Sequence, residues 1–344
     1  MLLFEPFAIR SVRLRNRLVM PPMCMYSAQD GAANDFHAVH YATRAMGGVG
    51  LIILEATGVL PNGRISDLCL GLWKDEQVTP LHRVVDACHR GGAKVAVQLA
   101  HAGRKCVATH VSRIVAPSHV RFSDLPEYRD PEELTPLEID TIVEAFSRAA
   151  TRAADAGADA LEVHAAHGYL IHQFLSPLTN RRHDGYGGSL ANRCRFLSEV
   201  LQAVRREWPV PKPLLLRISA HDHAEGGITV ADMAEMVNRV RTQIDVLHVS
   251  SGGLLPEMPA QSPGFQVPYA TSLRRECGIP VIAVGMITTA AQAEEILQTQ
   301  KADLVAMGRE LLRNPYFPLT TAPCQRGPAL YPRQYERAFV PPQG

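Results

Sequence analysis

The 344-residue chain is 46% apolar and 20% charged, with 35 Lys+Arg against 34 Asp+Glu and a formal net charge of +1. This is a globular composition, sufficient for one large α/β domain or two of ordinary size, and without a basic stripe it argues against nucleic acid as a partner. No apolar run nears the roughly 20 residues that span a bilayer, and the seven scattered cysteines (24, 69, 88, 106, 194, 277 and 324) form no C-x-x-C pair, which points to reduced thiols and a cytoplasmic protein.

In chain order, eight aliphatic runs read as strands: RLVMPPM (17–23), LIILEA (51–56), KVAVQLA (94–100), ALEVHA (160–165), LLLRIS (214–219), VLHVSS (246–251), PVIAVG (280–285) and LVAMG (304–308). They show little polar alternation, as parallel strands buried on both faces do. Helical periodicity falls between them, at 80–90, 138–156, 189–207, 230–242 and 289–299. In 138–156 the residues Ile139, Ile142, Val143, Phe146, Ala150 and Ala153 form one stripe. Thr135, Pro136 and Glu138 supply a cap, a first-turn proline and a capping box, and Gly157 closes the segment. Eight β-then-α units predict an α/β protein, a (β/α)8 TIM barrel. A doubly wound sheet is the rival, but GGVG (47–50) precedes its strand instead of following it, so no dinucleotide turn is present. Two segments stand outside the repeat: an insertion of about 106–135 after the third strand, and a tail of 326–344 after a barrel unit of 1–325.

Residues just past the C-terminal ends of barrel strands converge on one mouth. The first three strands bring Pro22, Met23, Cys24 and Tyr26; Glu55, Ala56 and Thr57; and Gln98, His101, Arg104 and Lys105. The fourth and fifth bring His164, His167, Tyr169 and Arg217. The last three bring Ser250, Ser251, Gly252, Gly285, Gly308 and Arg309. The loops AVGMITT and AMGREL, after strands seven and eight, suit a phosphate-bearing ligand, with Arg309 as a bidentate grip. Arg217 ends an apolar strand and needs an anionic partner, either a glutamate or a cofactor ring that becomes negative on reduction. His164 and His167 lack a third metal ligand. As N–H donors they can hold one carbonyl or phenolate oxygen from two sides, with Tyr169 as general acid. His172 reads as a satisfied helix histidine, and HDH (221–223) as a solvated loop.

The stretches PPMCMYS, QLAHAGRK, EVHAAHGYLIHQFLSPLTNRRHDGYGGSLANR, AVGMIT, ADLVAMGRELLRNP and QYER are spread over nearly the whole chain, from Pro21 to Arg337. On them, the sequence resembles the Old Yellow Enzyme family of FMN-dependent ene-reductases, in its bacterial branch with a cysteine near the start of the barrel and an arginine finger. The resemblance implies FMN at the mouth, with NADPH or NADH as hydride donor and an enone or enal as substrate. It implies ring and ribityl contacts from Pro22, Met23, Ala56, Gln98 and Arg217, and phosphate contacts from Gly285, Gly308 and Arg309. Cys24 would tune the flavin, and Tyr26, His164, His167, Tyr169 and Lys105 would face the substrate. Arg337 of QYER would enter a neighbouring active site in a homodimer or homotetramer. A dienoyl-CoA-type flavin barrel and a flavin-free barrel lyase or aldolase are the alternatives.

Overall fold

The structure is a computed structural model that describes residues 1–257, 259–322 and 331–339. An antiparallel hairpin of β1 (Phe7–Ile9) and β2 (Val12–Leu14) precedes the barrel. Then follow β3 (Leu18–Met20), α1 (Asp35–Met46), β4 (Leu51–Gly58), α2 (Val78–Arg90) and β5 (Lys94–Ala100). The predicted insertion carries the short strands β6 (Val115–Ala116) and β7 (Glu132–Glu133), paired in parallel. The chain continues through α3 (Pro136–Asp155), β8 (Ala160–Ala165), α4 (Leu170–Leu175), α5 (Leu190–Glu207) and β9 (Leu214–Ser219). It ends in α6 (Val230–Val240), β10 (Val246–Ser250), α7 (Val267–Cys277), β11 (Val281–Ala283), α8 (Ala290–Gln298), β12 (Leu304–Ala306), α9 (Arg309–Arg313) and α10 (Phe317–Thr321).

β3, β4, β5, β8, β9, β10, β11 and β12 pair in parallel in that order, and β12 closes on β3. This is the expected (β/α)8 barrel, and closure removes both sheet edges. The doubly wound alternative is excluded. Local chemistry starts the helices, at α3 as the sequence indicates. Thr135 and Glu138 form the capping box of α3, Thr229 and Asp232 that of α6, and Thr289 accepts from Gln292 N at α8. Helices α1 and α7 lack so clear a sequence signal and complete the outer ring.

The barrel interior is layered. Val19, Leu51, Ile53, Ala96, Ala160, Leu215, Val246, Ile282 and Leu304 make a dry lower layer, plugged from below by Ile9, Val12 and Leu14 of the hairpin. Two residues further along their strands, on the same face, stand Gln98, Glu162, Arg217 and His248. The hairpin therefore seals one end, and the polar layer turns toward the other. A second core lies between barrel and helices, where Phe146 of α3 is fully buried. Of the predicted tail, residues 331–339 are described and meet the segment between α9 and α10 through a Tyr316–Tyr335 hydroxyl contact of 3.5 Å; the rest, and Cys324, lie outside the described residues. No described helix is long and apolar enough to cross a membrane.

Phe146→Ala should lower the unfolding free energy by roughly 3–5 kcal/mol, the usual cost of emptying a buried aromatic site, measured by denaturant titration. A loss below about 1 kcal/mol would show that this side chain does not bear on the outer core.

Candidate functional site

A cavity of about 510 Å³ opens at the C-terminal end of the barrel. Of the residues expected at the mouth, Pro22, Met23, Lys105, His167, Arg217, Gly285, Gly308 and Arg309 line it. Ser250 and Ser251 line it as well, whereas Cys24, Tyr26, Ala56, Gln98, His164 and Tyr169 are not part of its wall. Cys24 follows Met23, and Tyr26, 46% exposed, shares a side-chain hydrogen bond with Cys24. His164 pairs with Arg217 across β8 and β9, and Gln98 with Glu162 across β5 and β8. Ala56 and Glu55 stand together opposite Gln98, where β4 carries one extra residue between Leu54 and Thr57.

The HAAHGY motif leaves β8 as a strained turn. His167 has φ +57° and Gly168 φ +71°. A Cβ on Gly168 would stand 2.3 Å from the Gly253 carbonyl oxygen, so only glycine lets the β8 and β10 loops meet backbone to backbone. This contact, with His167 N donating to Ser219 Oγ at 2.9 Å, fixes the ring of His167. The His164 and His167 rings lie 5.1 Å apart at 86°, and Tyr169 stands edge-on to His164 at 5.0 Å. His164 Nδ1 accepts from Ala166 N at 3.3 Å, so its proton sits on Nε2, which faces His167 Nδ1 at 3.4 Å. His167 Nε2 then donates to Ser250 Oγ at 2.7 Å. The imidazoles do converge, but in a chain that ends on Ser250, a partner with no assigned role in the sequence.

Electrostatics keep this group neutral. Burial, then the Arg217 charge, holds both imidazoles well below the usual histidine range. Burial pushes the Tyr169 phenol well above the usual tyrosine range. It also raises the Cys24 thiol, helped by Cys69 and Glu55, so Cys24 is a thiol and not a thiolate nucleophile. Lys105 is lowered to about 8 by burial and by Arg104. Its ammonium donates to the carbonyls of His167 and Gly253, both at 3.1 Å, and lies 5.2 Å from the Tyr169 ring centroid.

Glu162 and His248 escaped sequence reasoning as site residues, although a charge inside an apolar strand, as at Arg217, was the available signal. Glu162 is fully buried, accepting from Gln98 Nε2 and His248 Nδ1, both at 2.7 Å. It is also the glutamate whose charge supports the Arg217 guanidinium. Gln261, Phe265 and Gln266 line the cavity from the loop after β10, which carries no motif. The HDH reading needs correction. Asp222 is buried, accepting from His172 Nε2 at 2.8 Å and Ser176 Oγ at 2.7 Å, because α4 brings a histidine that needs a partner. His172 is satisfied, as expected. Arg337 is exposed and outside the cavity wall.

The donor set fits a flavin mononucleotide. Arg217 lines the cavity, yet its Nε has no hydrogen-bond partner and its Nη1 reaches only Pro22 O at 3.5 Å, which leaves a buried cation facing open space. At the other end Gly285 has φ +128° and a Cβ there would stand a tight 3.1 Å from Gln266 Cβ, and the exposed Arg309 reaches Gln261 at 3.3 Å.

The model of the NADH:flavin oxidoreductase / NADH oxidase family matches residues 2–323. An NADPH dehydrogenase of Clostridium acetobutylicum is 52% identical over 98% of this chain and 100% of its own length. One of Listeria monocytogenes is 50% identical over 98% and 99%. Among solved structures, morphinone reductase superposes with a TM-score of 0.82 at 30% identity, covering 96% of this chain and 93% of the other. 2-Naphthoyl-CoA reductase gives a TM-score of 0.87 at 26% identity over 93% of this chain, which spans 52% of that longer one.

Gly168→Ala should cost roughly 1–3 kcal/mol for the left-handed backbone alone and displace His167 from Ser250. The lowered melting temperature and weaker flavin retention would be read by thermal unfolding and by absorbance after gel filtration. Unchanged values in both would show that the loops are free to part.

Proposed function

The chain belongs to the NADH:flavin oxidoreductase / NADH oxidase family of FMN-dependent oxidoreductases, and on that premise we propose that it uses NADPH to reduce the C=C bond of α,β-unsaturated carbonyl compounds. The observation that carries this reading is the neutral trio of His164, His167 and Tyr169 at the rim of a cavity that also exposes the unsatisfied Arg217, the neighbour of His164 across β8 and β9. Family membership sets aside the flavin-free lyase.

FMN, when bound, supplies a two-electron hydride carrier that accepts from NADPH and passes on to a carbon acceptor. Met23, Pro22, Ala56, Gln98 and Arg217 would hold its ring system, and Gly285, Gly308 and Arg309 its phosphate. His164 Nε2–H donates to the substrate carbonyl, and His167 joins it in its other tautomer, with the proton on Nδ1 and Nε2 accepting from the Ser250 hydroxyl. The 3.4 Å contact between the two rings is long for a hydrogen bond, so a carbonyl oxygen replaces it at little cost. Donation from neutral imidazoles draws electron density toward oxygen and leaves the β-carbon electron-poor. Tyr169, kept protonated by burial, delivers a proton to the α-carbon, and the Lys105 ammonium nearby stabilises the phenolate left behind.

Cys24, held as a thiol beside Met23, adjusts the ring's redox potential without covalent chemistry, and Tyr26 covers the substrate side. Arg337, exposed on the tail, enters the mouth of a second copy in a homodimer or homotetramer. A second reading, reduction of a dienoyl-CoA thioester, draws on the likeness to 2-naphthoyl-CoA reductase.

The test separates the two half-reactions. FMN-loaded protein mixed anaerobically with NADPH should bleach, and cyclohexenone should restore the yellow spectrum faster than dienoyl-CoA does. Tyr169→Phe should slow reoxidation by roughly 10²–10⁴-fold, the range for losing a general acid, and leave bleaching nearly unchanged. Equal losses in both halves would remove the proton-donor role, and reoxidation by the thioester alone would shift the substrate class.

A further inference from the structure

One buried titratable cluster lies beside the site and takes no part in the chemistry above. Glu55 is fully buried on β4, at the point where the strand carries its extra residue. A bulge of this kind leaves a backbone group without its ladder partner. Here the Glu55 amide donates to the Tyr41 hydroxyl of α1 at 3.0 Å, and that hydroxyl donates back to Glu55 Oε1 at 3.1 Å. The second carboxyl oxygen, Oε2, accepts from the Met25 amide at 2.9 Å, and the Tyr26 amide adds a further contact. Tyr26 sits at φ +50°, a backbone position that a tyrosine holds only under constraint. His37 Nε2, also of α1, lies 3.6 Å from Oε1 and has no hydrogen-bond partner, although the ring is fully buried.

One carboxyl group therefore joins three pieces: helix α1, the bulge that presents Ala56, and the loop of Cys24, Met25 and Tyr26. The last two carry residues assigned above to the flavin. We propose that Glu55 is a positioning residue whose ionised form braces the Cys24–Tyr26 loop and the Ala56 bulge against the cofactor, and whose protonation loosens both. The proposal rests on the flavin-facing assignment of Cys24 and Ala56.

The direction follows from hydrogen-bond chemistry. An ionised carboxylate accepts from N–H and O–H groups about twice as strongly as a neutral acceptor does. A proton on either oxygen turns one acceptor into a donor that faces an N–H or an already donating hydroxyl. Burial pushes Glu55 up to about 7, against the Met25, Tyr41 and Tyr26 hydrogen bonds that pull it down, so the change falls within the physiological range. The groups whose charge bears on it are Tyr41 and His37 from α1, Cys24 and Tyr26 from the loop, and Cys69 from the segment after β4. The two thiols and two phenols are all held neutral by burial, and burial lowers His37, so Glu55 is the group that changes charge.

The linkage sign is that of a raised carboxyl. The folded state holds the Glu55 proton that the unfolded chain has released above about 4.5. The stability attached to that proton is complete below this value and is lost as pH rises through 7. Fold stability and cofactor grip consequently run in opposite directions across the same window.

The experiment is a fluorescence titration of apoprotein with FMN from pH 5.5 to 8.5, together with thermal unfolding of the apoprotein at each pH, for wild type and Glu55→Gln. Between pH 6 and 8 the wild type should gain roughly three- to tenfold in FMN affinity beyond the gain shown by Glu55→Gln, the scale of one charge-assisted hydrogen bond. Titration of the FMN phosphate is common to both proteins and cancels in the comparison. The wild-type melting temperature should fall over the same interval more than that of the variant. Tyr41→Phe, which removes one hydroxyl that lowers the Glu55 value, should move the wild-type transition to higher pH, and it serves if Glu55→Gln does not fold. Parallel FMN profiles for wild type and Glu55→Gln, or a Tyr41→Phe transition at the wild-type pH, would overturn the proposal while FMN binding stands. An apoprotein that binds no FMN at any pH would instead overturn the flavin assignment itself.

Discussion

A carboxylate buried inside a closed barrel has to be matched group for group, and Glu162 is that carboxylate. It sits one layer above the dry floor, takes hydrogen bonds from Gln98 and His248, and supports the Arg217 charge. Removing one partner from such a set typically costs about 3–5 kcal/mol, so the four residues stand or fall together. Their consequence reaches the mouth. With the Gln98 amide nitrogen committed to Glu162, its carbonyl oxygen is left as the group available to a ligand. With Glu162 balancing only part of its charge, Arg217 keeps an unpartnered Nε at the cavity.

The same arginine governs the layer above. Imidazoles near a buried cation resist protonation, and His164 and His167 feel both the burial and the charge. They remain neutral, and in the reaction proposed above they would polarise a carbonyl without bringing a second full charge into a dry site. Tyr169 is held at the opposite end of its range by the same dryness, as a phenol with a proton to give. On that proposal one low-dielectric pocket separates donor from acid, with no carboxylate among the groups assigned to the reaction.

Rigidity at the mouth comes from backbone approach. Gly168 and Gly253 let two loops touch main chain to main chain, and a Cβ on Gly253 would meet His167 Cα at 2.9 Å. Lys105 ties the same pair of loops through the His167 and Gly253 carbonyls. Arg104, fully buried, does likewise for the insertion, with hydrogen bonds to the carbonyls of Val120, Arg121 and Leu254. The insertion after β5 and the loop after β10 are consequently parts of one rim.

The strand runs and the start of α3 were legible because burial on both faces and the capping of free amides leave periodic, local marks; the eight strands and the α3 capping box follow from them. The list of mouth residues was legible for a related reason, since parallel strands in a barrel must all point one way. Other features were decided only by the tertiary structure. Glu162 and His248 lie in strand interiors and acquire meaning when closure brings β5, β8, β9 and β10 side by side. Asp222 reads as solvated until α4 lays His172 against it. Glu55 is one polar residue in an apolar run until a bulge, a distant tyrosine and a loop amide converge on its carboxyl. Periodicity records which face of an element is dry. Hydrogen-bond pairing between residues dozens of positions apart leaves no such record, because it depends on where the folded chain sets them.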